Sequence, residues 1–464
     1  MPRTFAAVAF GLTLCASGSA SAQEFLKDRR FQEGIGVQAG DFELHPGIAG
    51  EMGYDSNWFL RSHKTGTNVV NAPPSVNVEP AAVLRVTPAI SLTTGSARRS
   101  EVNAGSESPL KFTAGASATY REFFGVKEIR DQRNVSVNGN LRLDILPGRP
   151  WGGSVFGNYQ RAINPSVLGN PDLSYNRHNI TGGAELSAQP ASGTLDWHLG
   201  YTFNTTLFED TQGKGFDSVN HEFNTRGRWK FRPRTALFYD ASVRTTNYIN
   251  LAPTNASLAN GVPLRARLGV NGLITSRFSL LAAAGYGSSF FSTANNKGVK
   301  QFDSMIAQVE ASFYPTAAPS VDAPQNLSLS LTSISIGYLR DFQMNLVGNF
   351  NGLDRGYLKF AYMFAGKVLL SADGGVGAIQ YPDFFFSSGA LRHPGATDIR
   401  IDATLYAEYR LTNSFAFTAT GKYGQNISNI LLPEEITSAG ATTPALFDFN
   451  WRRIEAFGGV RWFL

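Results

Sequence analysis

The last stretch of the chain, Arg453-Ile454-Glu455-Ala456-Phe457-Gly458-Gly459-Val460-Arg461-Trp462-Phe463-Leu464, decides how the rest is read. Its alternate positions separate into two sets. Ile454, Ala456, Gly458, Val460, Trp462 and Leu464 form the first, and Arg453, Glu455, Phe457, Gly459, Arg461 and Phe463 the second. A period of two belongs to a β-strand, whose successive side chains point to opposite faces, so this is a strand with one apolar and one mostly polar side. Aromatic residues crowd its end, as they do where a membrane-spanning strand meets water.

Working back along the chain, the same pattern recurs. Residues 399–410 set Ile399, Ile401, Ala403, Leu405, Ala407 and Tyr409 against Arg400, Asp402, Thr404, Tyr406, Glu408 and Arg410. Four charges on one side would not survive in lipid, so that side must look into a wet interior. Residues 135–145, 221–231 and 264–274 repeat the arrangement, with Leu141, Trp229 and Leu268 on the apolar side of each. Short links rich in Pro, Gly, Asn or Ser sit at 146–149, 232–235, 275–277, 365–367 and 411–413. Longer polar joins lie between them, near 62–78, 122–131, 164–174, 210–218, 250–261, 381–396 and 425–450. Alternating short and long connections are what an up-and-down barrel produces, with tight turns at one end and loops at the other. Two joins on the turn side, 94–107 and 314–325, are long and break the rule.

These observations predict an all-β fold, a transmembrane antiparallel up-and-down β-barrel of about 18 strands (16 to 20). Residues 1–22 read as a signal peptide, with Arg3 followed by an apolar run to Cys15 and the small-residue site Ala20-Ser21-Ala22. Residues 23–41 are a polar lead-in expected on the periplasmic side, and 42–464 the outer-membrane barrel. After the leader no run of 18 or more apolar residues offers a membrane helix. Cys15 is the only cysteine and leaves with the leader, which removes disulfide scaffolds, cysteine metal sites and cysteine nucleophiles. Abundant aromatic residues, 34 Phe and 16 Tyr, suit girdled membrane strands. The formal net charge of +5 is too small to imply nucleic acid, which export also argues against.

The terminal strand resembles that of bacterial outer-membrane barrels, and the resemblance implies recognition by the barrel-insertion machinery. Near the other end, Tyr54-Asp55-Ser56-Asn57-Trp58-Phe59-Leu60-Arg61 closes a candidate first strand over 42–61. This Tyr-Asp-x-Asn pattern with its apolar run and Arg resembles the opening of the β-barrel porin family associated with exopolysaccharide operons. That resemblance implies export of a polysaccharide, with periplasmic and inner-membrane export proteins as partners. Asp55 and Asn57 either shape the passage from strand to outer loop or touch the substrate.

Enzyme chemistry finds little footing. The six histidines, His45, His63, His178, His198, His221 and His393, are scattered and never paired at metal-helix spacing, and no nucleophile elbow or phosphate loop occurs in context. No catalytic residue, metal or cofactor is expected. Strand parity points Arg85, Arg142, Arg226, Arg228, Lys230, Arg244, Arg265, Arg267, Lys359, Arg400, Arg410 and Arg461 inward, against Asp144, Glu222, Asp240, Glu310, Asp402, Glu408 and Glu455. This basic excess either favours anions in the pore or is absorbed in pairs along the wall. Tyr357 and Tyr406 on the same side would offer stacking platforms for sugars or simply fill space.

The expected function is a passive, hydrated outer-membrane pore for a secreted polysaccharide, with both termini periplasmic. The alternative is a general or anion-preferring diffusion porin. A third class is a structural or adhesive barrel whose long join at 425–450 binds something outside, and in the other readings Ile430-Leu431-Leu432-Pro433 would be a plug folded into the lumen. Outer-membrane lipid surrounds the barrel as a monomer or small oligomer.

Overall fold

The computed structural model describes residues 36–62, 78–94, 109–164, 175–190, 193–211, 213–251, 258–291, 301–315, 332–345, 349–364, 367–385, 391–438 and 441–464. The expected signal peptide and most of the lead-in lie outside these residues.

The wall is built in chain order. Its first strands are β1 (Phe42–Asp55), β2 (Ala81–Thr94), β3 (Leu110–Phe124), β4 (Asn134–Ile145), β5 (Trp151–Ala162) and β6 (Arg177–Ala188). Next come β7 (Leu195–Phe208), β8 (Ser218–Arg232), β9 (Thr235–Tyr248), β10 (Gly261–Thr275), β11 (Phe278–Phe291) and β12 (Asp303–Phe313). The last are β13 (Ser333–Asn345), β14 (Asn349–Phe364), β15 (Val368–Tyr381), β16 (Ala396–Arg410), β17 (Phe415–Ile427) and β18 (Trp451–Phe463). Each pairs antiparallel with its sequence neighbour, and β1 pairs with β18 from Gly47↔Phe463 to Asp55↔Glu455. The sheet therefore closes into an 18-stranded barrel, as the alternation of residues predicts. Closure satisfies the backbone of every wall strand, the one condition under which strands can cross a bilayer. A short strand, Val37–Ala39, folds back on residues 42–44 at the start of β1.

All five expected tight links join consecutive strands at one end, hereafter the turn end. Both long exceptions also fall there, between β2 and β3 and between β12 and β13. The opposite, loop end carries a departure from the expected pattern: only residues 346–348 separate β13 from β14. Asn349, at φ 69°, helps that reversal, because an asparagine tolerates the left-handed region that most side chains avoid. The candidate first strand stops at Asp55 instead of running to Arg61, and residues 56–62 turn into the barrel.

The period of two sorts the wall into an apolar and a polar face. Leu141, Leu268, Ile336 and Leu405 are 49%, 64%, 64% and 61% exposed, as befits side chains meant for lipid. Trp151, Trp229 and Trp462 ring this face near the turn end. Towards the loop end the tyrosines are tied by their hydroxyls, Tyr159 to His178 at 2.8 Å, Tyr201 to His221 at 2.8 Å and Tyr286 to Asp303 at 2.5 Å. A ring with an apolar body and a bonded polar tip suits a membrane boundary.

Candidate functional site

The face opposite the apolar belt carries the charged residues singled out by parity, and most are engaged with one another. Arg142 meets Asp144 at 2.7 Å, Arg267 meets Asp240 at 3.0 Å, and Arg244 donates to Glu222 at 2.6 Å. Lys359 reaches Glu310 at 3.1 Å, and the same carboxylate accepts the Tyr357 hydroxyl at 2.8 Å. Glu408, buried, takes Arg410 at 3.0 Å, Arg461 at 3.6 Å and the Tyr406 hydroxyl at 2.7 Å. Arg85 lies 3.3 Å over the Phe457 ring and within 3.5 Å of Glu455. Arg400 sits over the Trp451 ring at 4.4 Å.

Residues missed in the sequence supply the remaining partners. Glu185 answers Arg226 at 3.0 Å, Asp196 answers Arg228 at 3.1 Å, and His198 lies between those two carboxylates. Asp341 answers Arg265 at 3.1 Å across three strands. Arg355 takes Asp402 and reaches Asp373 at 3.3 Å. Its guanidinium occupies the space beside Gly375, where an added Cβ would lie 2.6 Å from Nε. Of the two readings of the basic excess, the pairs on the wall support absorption by neighbours. Lys230 is an exception, with no ion-pair partner among the described residues. On β6 the apolar side reads Ile180, Gly182, Ala184 and Leu186, so its parity hardly announces Glu185, whereas Asp196 sits on β7 opposite the plainly apolar Leu195, Trp197 and Leu199 and parity alone could have found it.

Between β4 and β8 the polar face changes character. Asn140, Asn158, Asn179, Thr181, Asn204 and Asn220 share it. Asn204 Nδ2 donates to Thr181 Oγ1 at 2.8 Å, and Asn220 Nδ2 to Asn204 Oδ1 at 3.3 Å. A cavity of about 260 Å³ opens on this band, lined by Thr181, Thr202, Asn204, Asn220, Glu222 and Arg244. Amides and hydroxyls present both donors and acceptors, so the surface can exchange hydrogen bonds with a polyhydroxylated solute at little desolvation cost.

The segment after β1 does not continue as wall or loop but folds into the bore. Asp55, Asn57, Phe59, Leu60 and Arg61 are each at most 4% exposed, and Trp58 7%. Asn57 makes the clasp: its Oδ1 accepts from the Arg61 amide at 2.9 Å, and its Nδ2 donates to the carbonyls of Arg61 at 2.7 Å and Arg452 at 3.0 Å. Asp55 accepts from the Asn57 amide at 3.0 Å and holds Arg453 at 2.5 and 3.0 Å. Arg61 pairs with Glu128, on a short helical turn after β3, and Ser62 donates to Asp448 at 2.7 Å. Leu60 takes φ 53°, a left-handed conformation costing about 1–2 kcal/mol for such a side chain, which the clasp holds in place.

Two apolar clusters receive the folded-in residues. Trp58 and Phe59 pack with Val83, Phe123, Ile129 and Phe457. Leu60 packs with Tyr175, Phe208, Phe216, Tyr248, Leu258, Leu353, Ile379, Tyr381, Ile430 and Phe449. Those residues come from strands on opposite sides of the wall and from several loops, so their packing crosses the barrel at its loop end. A third, separate cluster gathers Phe291, Phe302, Ile306, Phe342 and Phe350. Burying each large side chain contributes roughly 1.5–3 kcal/mol, so the clusters are held by the sum of many contacts and by no single one. Of the 430–433 stretch expected as a plug, Ile430 is fully buried here but Leu431 is exposed, and the side chains of 432 and 433 lie outside the described residues.

A family model described as "Putative beta-barrel porin 2" matches residues 32–302, more than half of the chain. The chain belongs to this family. It is accordingly an outer-membrane barrel of the porin type, and the Tyr-Asp-x-Asn segment that first suggested the family is also the one that folds into the bore. No curated protein matches the sequence. Among solved structures, the FrpB iron transporter from Neisseria meningitidis (F5-1 variant) is 9% identical at TM-score 0.46, with 96% of this chain and 84% of that one covered. The siderophore receptor PirA from Pseudomonas aeruginosa gives 9% identity, TM-score 0.42 and coverages of 92% and 81%. OccAB4 of Acinetobacter baumannii gives 9%, 0.41, 92% and 99%. These likenesses concern the barrel fold.

Proposed function

We propose that this porin-family barrel is the outer-membrane conduit for a secreted polysaccharide, shut at rest by the plug at its loop end. The observation that carries the reading is the amide and hydroxyl band of β4–β8 with its cavity. Each neutral hydrogen bond there contributes only about 0.5–1.5 kcal/mol net, so a sugar chain can exchange one contact for the next without being held. The paired charges beside the band add rigidity and hydration with little net field, which suits passage of a long polar chain. In this reading the turn end, where β1 begins and β18 finishes, faces the periplasm, since short turns lie on that side of bacterial barrels. Energy for movement comes from synthesis or from periplasmic and inner-membrane export proteins acting through that end, while the terminal strand serves the insertion machinery.

The test is polysaccharide in the medium and in the periplasm of a strain lacking the gene, beside its parent. Loss from the medium, with retention inside and unchanged growth on small solutes, is the expected result. Normal output with slower uptake of small solutes would replace export by a diffusion porin.

A further inference from the structure

Charges on the inner wall are mostly paired, but among the described residues five cations on the tight links of the turn end have no ion-pair partner. Arg149, Arg232, Arg234, Arg277 and Lys367 stand on four of the tight links, and all are exposed. None of the five has an ion-pair partner among the described residues, and Lys230, one turn of the pleat above Arg232, has none either. Their backbones are nevertheless fixed. The Arg149 amide donates to Leu146 O at 3.2 Å, and the carbonyls of Arg234, Arg277 and Lys367 accept from Leu273, Tyr314 and Arg410 at 2.8 Å each. Acids near this end are already engaged: Asp144 with Arg142, Asp196 with Arg228 and His198, Glu408 with Arg410 and Arg461, and Glu43 with His45. Asp41 also has a partner. Among the described residues the rim thus holds positive charge without ion-pair partners, around an opening whose deeper wall is mostly paired.

We infer that this rim is an electrostatic entrance for a polyanion, and, resting on the export reading above, that the exported polysaccharide carries acidic groups such as carboxylates. Rim cations raise the local concentration of an oppositely charged chain, an effect that falls steeply with salt. Lys230 favours a solute over the surrounding lipid headgroups. It lies on the inner-face line of β8 below Arg226 and Arg228, whereas Phe231 and Trp229, on the other side of the same strand, face the membrane. Once inside, the chain meets engaged charges and amides and is not trapped.

The measurement uses the full purified barrel in neutral detergent, with fluorescent oligogalacturonate as the acidic probe and dextran as the neutral one. Oligogalacturonate should bind about tenfold or more tightly than dextran and weaken as salt rises. The joint variant Arg149→Glu, Arg232→Glu, Arg234→Glu, Arg277→Glu and Lys367→Glu should lose that preference. The corresponding Gln set serves if the reversed barrel fails to fold, as judged by heat-modifiable migration. Arg161→Gln, on the lipid side near the loop end, should bind like the parent. Equal binding of both probes, or binding indifferent to the rim, would overturn the inference. So would a rim variant that binds oligogalacturonate normally but inserts less well into vesicles containing phosphatidylglycerol, since that assigns the cations to lipid. Probe binding by the purified barrel is read separately from polymer release by the deletion strain, so either reading can fail without the other.

Discussion

The two ends of this barrel solve opposite problems with opposite chemistry. At the loop end, apolar side chains from across the wall meet around Leu60 and exclude water, and the polar residues among them are clasped. At the turn end, cations stand exposed on tight links with no ion-pair partner among the described residues. The difference underlies the proposed division of tasks, in which one end stays shut until something rearranges it and the other meets a charged chain in solution.

The sharpest way to break this contrast is to open the shut end. Phe59→Asp with Leu60→Asp places two carboxylates in apolar clusters, which is prohibitive without partners. We expect the segment to leave the bore and conductance in planar bilayers to rise about tenfold or more over the parent, given the loss of several buried side chains at roughly 1.5–3 kcal/mol each. Unchanged conductance would show that the plug does not limit the pore. A weaker version is Asn57→Ala, which removes the clasp but leaves the apolar packing. Loss of its hydrogen bonds at about 0.5–1.5 kcal/mol each should give intermittent openings, visible as flicker in single-channel records.

The wall lies between the two ends, and its pairing predicts a smaller effect. Arg267→Gln removes one cation and releases Asp240, so the ion selectivity of an opened barrel should move towards cations by a few millivolts of reversal potential. A shift towards anions would mean that Asp240 was never neutralised by its neighbour. The smallest effect is expected outside the wall. The Arg161 guanidinium beside Glu209 holds that carboxyl below the usual carboxylate range. A depressed folded value means that the contact stabilises the barrel above the ordinary carboxylate pKa and fades as pH falls through the lowered one. Glu209→Gln should therefore lower the heat-modification midpoint slightly at pH 7, and the difference from the parent should vanish in strong acid.

Much of the architecture was legible because a membrane strand must show its parity locally. In β4, β8, β10, β16 and β18 every second residue meets lipid, and the expected spans match those observed to within three residues at either end. Tight links were legible for the same reason, since turn chemistry is local. The plug was not. Trp58, Phe59 and Leu60 continue the apolar pattern of a strand, and it takes contacts far along the chain, such as Asn57 with Arg452, 395 residues away, and Ser62 with Asp448, to show that the chain turns inward. Nor was the balance of wall charge legible. Asp341 and Arg265 lie three strands apart, a proximity set by the curvature of a closed wall. Asp55 and Asn57 had two readings, and their contacts support the one in which they shape the end of the strand.

The clasp also lies on the seam. Asn57 bonds to the carbonyl of Arg452, Asp55 holds Arg453, and the Ser56 amide donates to Ile454 O at 2.9 Å, so the residues that aim the plug are anchored on the last wall strand to be synthesised. The Trp58-Phe59-Leu60 segment is thus held from two sides, by β18 through the clasp and by the β2–β3 side through Arg61–Glu128 and the packing on Val83, Phe123 and Ile129. Closing the seam and fastening the segment therefore draw on the same few residues, so damage to one is damage to the other.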